Sequence, residues 1–386
     1  MRTTRRVFLE LEDGTRLAGS SFGHFGQASG EVVFSTGMTG YVESLTDPSF
    51  RGQILVMTYP LIGNYGVPDK AEAERFESDR IQVAGLVVAR AHDDQSHAGA
   101  ARSLPDWLAS EEVPGVEGID TRYLTLRLRE HGTMLGRILP ADVPPEELAP
   151  MFDPNRIDVV STVTVKEPKI GVGGQGSGIG GRKRVILVDC GVKNSIRREL
   201  LARGVEVRQV PSHWDYTGEP FDGILVSNGP GNPEQCPTTI EVLRRAMALG
   251  RPILGICLGT QLMALAAGAR TYKLRYGHRG QNQPCRESGS DRCRLTSQNH
   301  GYAVDARTLP DDWQVWFTNI NDGSVEGIRH KRRPFAGVQF HPEASPGPLD
   351  SRDLLDRSWS RSRKRRTPNS DRRTRDIGLP NEPTGL

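Results

Sequence analysis

Hydrophobic and polar positions alternate from the start of the chain. Val7, Leu9 and Leu11 share one face, Asp13-Gly14 supplies a turn, and Leu17 resumes the pattern. A period of two around Asp-Gly predicts a β-hairpin. Further apolar runs at residues 31–34, 53–58 and 81–89 predict more strands. The first part is therefore expected to be a β-rich α+β domain. Residues 171–181 are mostly glycine, the composition of a flexible linker. They contain G-x-G-x-x-G at Gly176, Gly178 and Gly181. That match precedes a strand, whereas a dinucleotide fingerprint follows one, so it is read as linker.

Beyond the linker the period changes. The apolar run Val185 to Val188 predicts a strand, and Ile196 to Ala202 a helix ended by Gly204. Strands are expected at Val205 to Val207, Ile224 to Val226 and Pro252 to Ile256. Thr238-Thr239 can cap a helix running to Leu249, with Gly250 ending it. Alternating strands and helices predict an α/β, doubly wound, mostly parallel sheet with its site at the carboxyl ends of the strands. The expected organisation is an N-terminal domain at 1–165, a Gly-rich linker at 166–182, an α/β domain at 183–357 and a basic tail at 358–386. Low apolar content and clustered Arg and Lys make disorder the default expectation for that tail.

Composition narrows the function classes. The chain has 386 residues and a formal net charge of +3. Ten basic and five acidic residues lie within 351–386, so the rest is slightly acidic. The body therefore lacks the charge of a nucleic-acid-binding surface. Five cysteines form no C-x-x-C pair, which indicates neither a disulfide scaffold nor a zinc ribbon. The spacing of Cys285 and Cys293 allows neighbours across a hairpin, but ordinary reduced thiols are expected. Arg2, Arg5 and Arg6 precede an apolar run broken by Glu10 and Glu12, too short for a signal peptide and too acidic for a transit peptide. No apolar stretch approaches the roughly 20 residues that span a bilayer. A cytoplasmic protein is expected.

The chemistry centres on Gly255-Ile256-Cys257-Leu258-Gly259, between an expected strand and a helical pattern from Thr260 to Ala269. Strand, sharp turn and helix make a nucleophile elbow, with cysteine as the nucleophile. A sulfur at a helix N-terminus is favoured as thiolate. His341-Pro342-Glu343 follows the apolar run Phe335 to Phe340. Residues two apart in an extended segment share a side, so Glu343 can orient His341 while His341 exchanges protons with Cys257. His300 and His330 are rival bases, but neither is followed two residues on by a carboxylate. The Leu258 N–H and the loop Ser227-Asn228-Gly229-Pro230-Gly231-Asn232 are candidate oxyanion donors.

The segments SNGPGNP, GICLGTQ and QFHPEASPGP resemble the class I glutamine amidotransferases. Gly37-Met38-Thr39-Gly40-Tyr41, Leu45-Thr46-Asp47-Pro48-Ser49 and Ile62-Gly63-Asn64-Tyr65-Gly66 resemble the N-terminal domain of the carbamoyl-phosphate synthase small-subunit family. So do Ile119-Asp120-Thr121-Arg122 and Gln298-Asn299-His300-Gly301-Tyr302. The resemblance spans residues 7 to 357 and implies a glutaminase with Cys257, His341 and Glu343 as its triad. It further implies that Ser49, Gly229, Gly231, Leu258, Gln261, Asn299, Gly301 and Tyr302 hold L-glutamine. No metal or cofactor is implied on this chain. Ammonia would pass to a large subunit carrying ATP and Mg2+, where bicarbonate is converted to carbamoyl phosphate for arginine and pyrimidine synthesis. No membrane or nucleic-acid partner is implied. An amidotransferase for another synthase, or a non-catalytic regulatory subunit, are the alternatives. Asn232 stands where the family often has Asp, and Gln283 where a second His is common. After Ser345-Pro346-Gly347-Pro348, Leu354 and Leu355 begin an amphipathic pattern that the charged tail breaks.

Overall fold

The computed structural model describes residues 5–173 and 182–360. The N-terminal part is a closed seven-stranded barrel. Its strands are β1 (Arg6–Leu11), β2 (Arg16–Gly23), β3 (Ala28–Ser35), β4 (Gln53–Met57), β5 (Gly85–Val88), β6 (Pro114–Glu117) and β7 (Met134–Pro140). Spatially they run β1-β2-β6-β5-β4-β3-β7. The hairpin expected from the alternation is present, with Leu9 opposite Leu17, and Val7, Leu9 and Leu11 are fully buried. Closing the sheet removes the edge strands that an open sheet would expose. Helices α1 (Tyr41–Thr46), α2 (Leu104–Ser110) and α3 (Thr121–His131) connect the strands.

The C-terminal part is one ten-stranded sheet. It comprises β8 (Lys169–Val172), β9 (Arg184–Asp189), β10 (Glu206–Pro211), β11 (Gly223–Val226), β12 (Ile253–Ile256), β13 (Thr271–Glu287), β14 (Cys293–Val304), β15 (Trp313–Asn319), β16 (Val325–His330) and β17 (Phe335–Val338). Five adjacent strands, β10-β9-β11-β12-β17, are parallel. Taken in chain order this is a 2-1-3-4-5 arrangement, one of the two common doubly wound orders. Helices α4 (Asn194–Ala202), α5 (Pro237–Ala248) and α6 (Leu258–Ala266) accompany it, and α7 (Asp353–Ser360) ends the described chain. Burial on both faces explains why β9, β11 and β12 are nearly continuous apolar runs. An antiparallel wing, β14-β13-β15-β16, extends the sheet beyond β17. The alternation of strand and helix patterns in the sequence does not separate that wing from the parallel core.

Several local expectations are corrected. Lys169–Val172, expected as linker, pairs antiparallel with β10 as an edge strand. A four-residue stretch with exposed Lys169 and Ile170 carries no strand pattern, so pairing with β10 decides it. The glycine motif at 176–181 falls outside the described residues. So does the tail beyond 360. The α5 helix starts at Pro237, not after a Thr238 cap, because proline fits the first helical turn and Cys236 offers no side-chain cap. The expected strand at 81–89 shortens to Gly85–Val88. All five cysteines are free thiols, and Cys285 and Cys293 lie one position apart in register across the β13–β14 hairpin.

Candidate active site

The carboxyl ends of β11, β12 and β17 meet at one edge of the sheet, beside the point where strand order reverses between β9 and β11. Such a reversal opens a crevice because the connections on either side leave in opposite directions. Cys257 follows β12 directly, with φ 52 and ψ −108, a backbone conformation costing about 1–3 kcal/mol for a non-glycine residue. The turn is held from several sides. Cys257 N–H donates to Val338 O at 2.8 Å. A Cβ on Gly255 would lie 2.7 Å from backbone atoms of Gly259 and Thr260, and one on Gly259 would lie 2.1 Å from Val226 O. Both glycines therefore permit the close approach of β12, α6 and β11 that aims the sulfur out of the sheet.

His341 follows β17 and is locked by its own N–H to Ser297 O at 2.9 Å. Its Nδ1 is 2.6 Å from Glu343 Oε1, and both side chains are buried. The ring's Nε2 has no hydrogen-bond partner among the described residues, and the Cys257 thiol is one of the groups that act on the imidazole's pKa. The thiol itself is directed at Asn299 O, 3.6 Å away. Burial pulls the His341 pKa down, but the Glu343 carboxylate and the thiol outweigh it and hold the pKa above the usual value. Burial pushes the Glu343 pKa up, and Lys193 with His341 reverse this, keeping it ionised.

Lys193, in the loop after β9, was not anticipated from sequence. Its buried ammonium donates to Glu343 Oε1 at 3.1 Å and to Ala344 O at 2.5 Å. Burial alone would lower the Lys193 pKa, but Glu343, Glu77 and Asp47 raise it, so the cation persists. Glu343 thus lies between an imidazole and an ammonium. Lys193 opposes the charging of His341, while Glu343 favours it.

A narrow cavity opens beside the sulfur. Ser49, Gly229, Gly231, Gln261, Asn299, Gly301 and Tyr302 line it with Cys257. Leu258 does not line it, but its side chain would touch a Cβ on Gly229 at 2.8 Å. Leu258 is also the first residue of α6, so its N–H has no intrahelical acceptor. A Cβ on Gly229 would come within 2.0 Å of Cys190 O, which is why the backbone is bare here. Ser49 is delivered by the barrel domain, through a turn capped by Asp47. Asn228 donates to Ser49 Oγ at 2.9 Å, and Asn299 to Asp47 Oδ2 at 2.9 Å. Gln261 donates to Tyr302 O at 2.9 Å. The walls also include Glu31, Arg51, Gln53, Lys273 and Arg279, none of them singled out from sequence.

The rival histidines do other work. His300 lines the cavity, but its ring nitrogens contact Tyr302 O and Gln298 Oε1. His330 pairs with Asp312. His278, His300 and Glu326 place three metal-type ligand atoms within 4.8 Å of one another. His278, however, has Glu326 on Nδ1 at 3.1 Å and Asp322 on Nε2 at 2.8 Å. Burial lowers its pKa, but the two carboxylates more than offset this, and with an acceptor on each ring nitrogen neither is left free for a metal. Among the described residues, no helix is long and apolar enough to cross a membrane.

Comparison with known proteins places these two halves. Residues 9–138 match the family model "Carbamoyl-phosphate synthase small chain, CPSase domain", and residues 186–359 match "Glutamine amidotransferase class-I". The arginine-specific small chain of carbamoyl phosphate synthase from Aspergillus niger is 47% identical over 364 residues, covering 92% of this chain and 79% of that one. Multifunctional protein pyr-3 of Neurospora crassa is 47% identical over 91% of this chain, and multifunctional protein CAD of Squalus acanthias 48% over 90%. The chain spans only 21% and 16% of those two longer proteins. On the identity and coverage shared with the Aspergillus protein, and on both family models, this chain belongs to the carbamoyl phosphate synthase small chain family of class I glutamine amidotransferases.

Proposed function

We propose that this chain hydrolyses the side-chain amide of L-glutamine and delivers the ammonia to a carbamoyl phosphate synthase large subunit. The observation that carries the proposal is the strained Cys257 at the head of α6, beside an imidazole held by a buried carboxylate. His341 takes the thiol proton as Sγ bonds to the amide carbon. The carbonyl oxygen becomes an oxyanion, supported by the Leu258 and Gly229 N–H groups. His341 then protonates the leaving nitrogen, the carbon–nitrogen bond breaks, and ammonia departs. Water attacks the remaining thioester, His341 accepts its proton, and glutamate leaves with the thiol restored. Glu343 fixes the imidazole tautomer. Ser49, Gly229, Gly231, Leu258, Gln261, Asn299, Gly301 and Tyr302 would hold the substrate. Bicarbonate, ATP and Mg2+ would bind the large subunit, in the cytoplasm.

Reconstitution with a large subunit tests this. Cys257→Ser is expected to remove glutamine-dependent carbamoyl phosphate synthesis, by about 10⁴-fold or more, while ammonia-dependent synthesis persists. Equal loss of both would refute the assignment of Cys257.

A further inference from the structure

We propose that Arg279 reads the free α-carboxylate of the substrate and so determines the pocket's preference for glutamine over simpler amides, an inference that rests on the functional reading above. Arg279 projects from β13 and is only 5% exposed. It lines the same cavity as Cys257, Asn299 and Gly301. One guanidinium nitrogen donates to Tyr276 O at 2.8 Å, and the buried Nε has no partner. Among the described residues, no carboxylate forms an ion pair with it. Glu31, whose field reaches it, is already engaged by Lys273 at 2.7 Å and by Gln53 and Thr133, both at 2.8 Å.

The guanidinium packs against bare backbone: a Cβ on Gly277 would lie 2.5 Å from one of its nitrogens and 2.5 Å from His300 O. Burying a cation costs several kcal/mol even after relaxation, and buried charges are ordinarily paired. A guanidinium left unpaired in the wall of a cavity is thus a seat for an anion. Its planar fork matches a carboxylate through two parallel hydrogen bonds. Glutamine carries such a carboxylate at one end and the scissile amide at the other, so one ligand meets Arg279 and Cys257 together. An amide of the same length without the carboxylate, such as 4-aminobutanamide, leaves the cation unmatched.

The test compares the full-length chain with its Arg279→Met and Arg279→Lys variants, each assembled with the large subunit. In Arg279→Met, KM for glutamine should rise by roughly 100-fold, the scale for losing one partner of a buried charge pair, with kcat changed far less. The preference for glutamine over 4-aminobutanamide should fall by the same factor, and Arg279→Lys should recover part of both. Alkylation of Cys257 by iodoacetamide, which has no carboxylate, should slow far less than the preference falls, since Arg279 acts on the sulfur only through its field, and this also checks folding. Unaltered KM and preference would overturn the proposal. So would alkylation slowed by the same factor as the preference, which would make Arg279 a support for the thiolate instead. Calorimetric binding of glutamine to the Cys257→Ser chain, with and without Arg279→Met, separates the two levels of inference. If the unmodified complex released no glutamate, the activity would be rejected. Weaker binding in the double variant would still sustain the carboxylate contact, and equal binding would remove it.

Discussion

At the scale of single residues, the candidate centre is a buried relay, Lys193, Glu343 and His341, ending at Cys257. Each member is buried, so removing one charge leaves its neighbour uncompensated. Lys193→Met is expected to cost about 3–5 kcal/mol of stability, measured by urea denaturation. Adding Glu343→Gln should return part of that loss, because the orphaned carboxylate disappears with it. His278 gives a pH dependence of known sign. Its folded pKa lies above the usual 6.5, so its stabilisation is complete below pH 6.5 and declines as pH rises through the higher folded value. Thermal denaturation of the intact chain should show a midpoint falling with pH across that window. His278→Gln should lower the midpoint at pH 6 and flatten the dependence above it.

At the scale of elements, the elbow is a packing problem before it is a catalytic one. The strand β12, the helix α6 and the strand β11 approach so closely that neither Gly255 nor Gly259 has room for a methyl group. Gly259→Ala would drive a carbon into the Val226 carbonyl, and neither backbone can yield without disturbing Cys257. The expected outcome is a loss of at least about 1–3 kcal/mol, the usual cost of overpacking, together with loss of glutaminase activity. Chemical denaturation alongside a glutamate-release assay checks both. This element was legible in sequence, because a glycine on each side of a cysteine between an apolar run and a helical pattern has few other uses. The strand at Lys169–Val172 was not legible, since its pairing depends on β10 more than thirty positions away in the sequence.

At the scale of the whole molecule, the pocket is shared by two domains. Glu77 of the barrel part accepts from Ser195 at 2.7 Å and Ser345 at 2.6 Å, and pairs with Arg198 at 3.1 Å. It is fully buried, and these partners flank the loops that carry Lys193 and Glu343. Glu77→Ala should strand two hydroxyl groups, at roughly 1–3 kcal/mol, while the partly solvated Arg198 loses only its ion pair. Because Ser49 and Asp47 come from the barrel part while Asn228 and Asn299 come from the sheet, loosening the junction should also raise KM for glutamine. Calorimetry is expected to resolve two transitions in the variant where the parent shows closer coupling.

What the amino-acid order decided alone was everything carried by short-range pattern. That includes the hairpin at Leu9 and Leu17, the rhythm of strands and helices after the linker, the elbow around Cys257, and the pairing of His341 with Glu343 two positions on. These features arise from steric preference and periodicity within a few residues. Tertiary structure decided the closure of the barrel, the antiparallel wing, and the charged neighbours that no local motif announces. Lys193 meets Glu343 across 150 positions, Asn299 meets Asp47 across 252, and Arg279 lines the cavity with no ion pair among the described residues. A lysine or arginine in a sequence is most often a solvated surface group. Only folding, by withdrawing it from water and setting it beside particular partners, turns its charge into a determinant of chemistry.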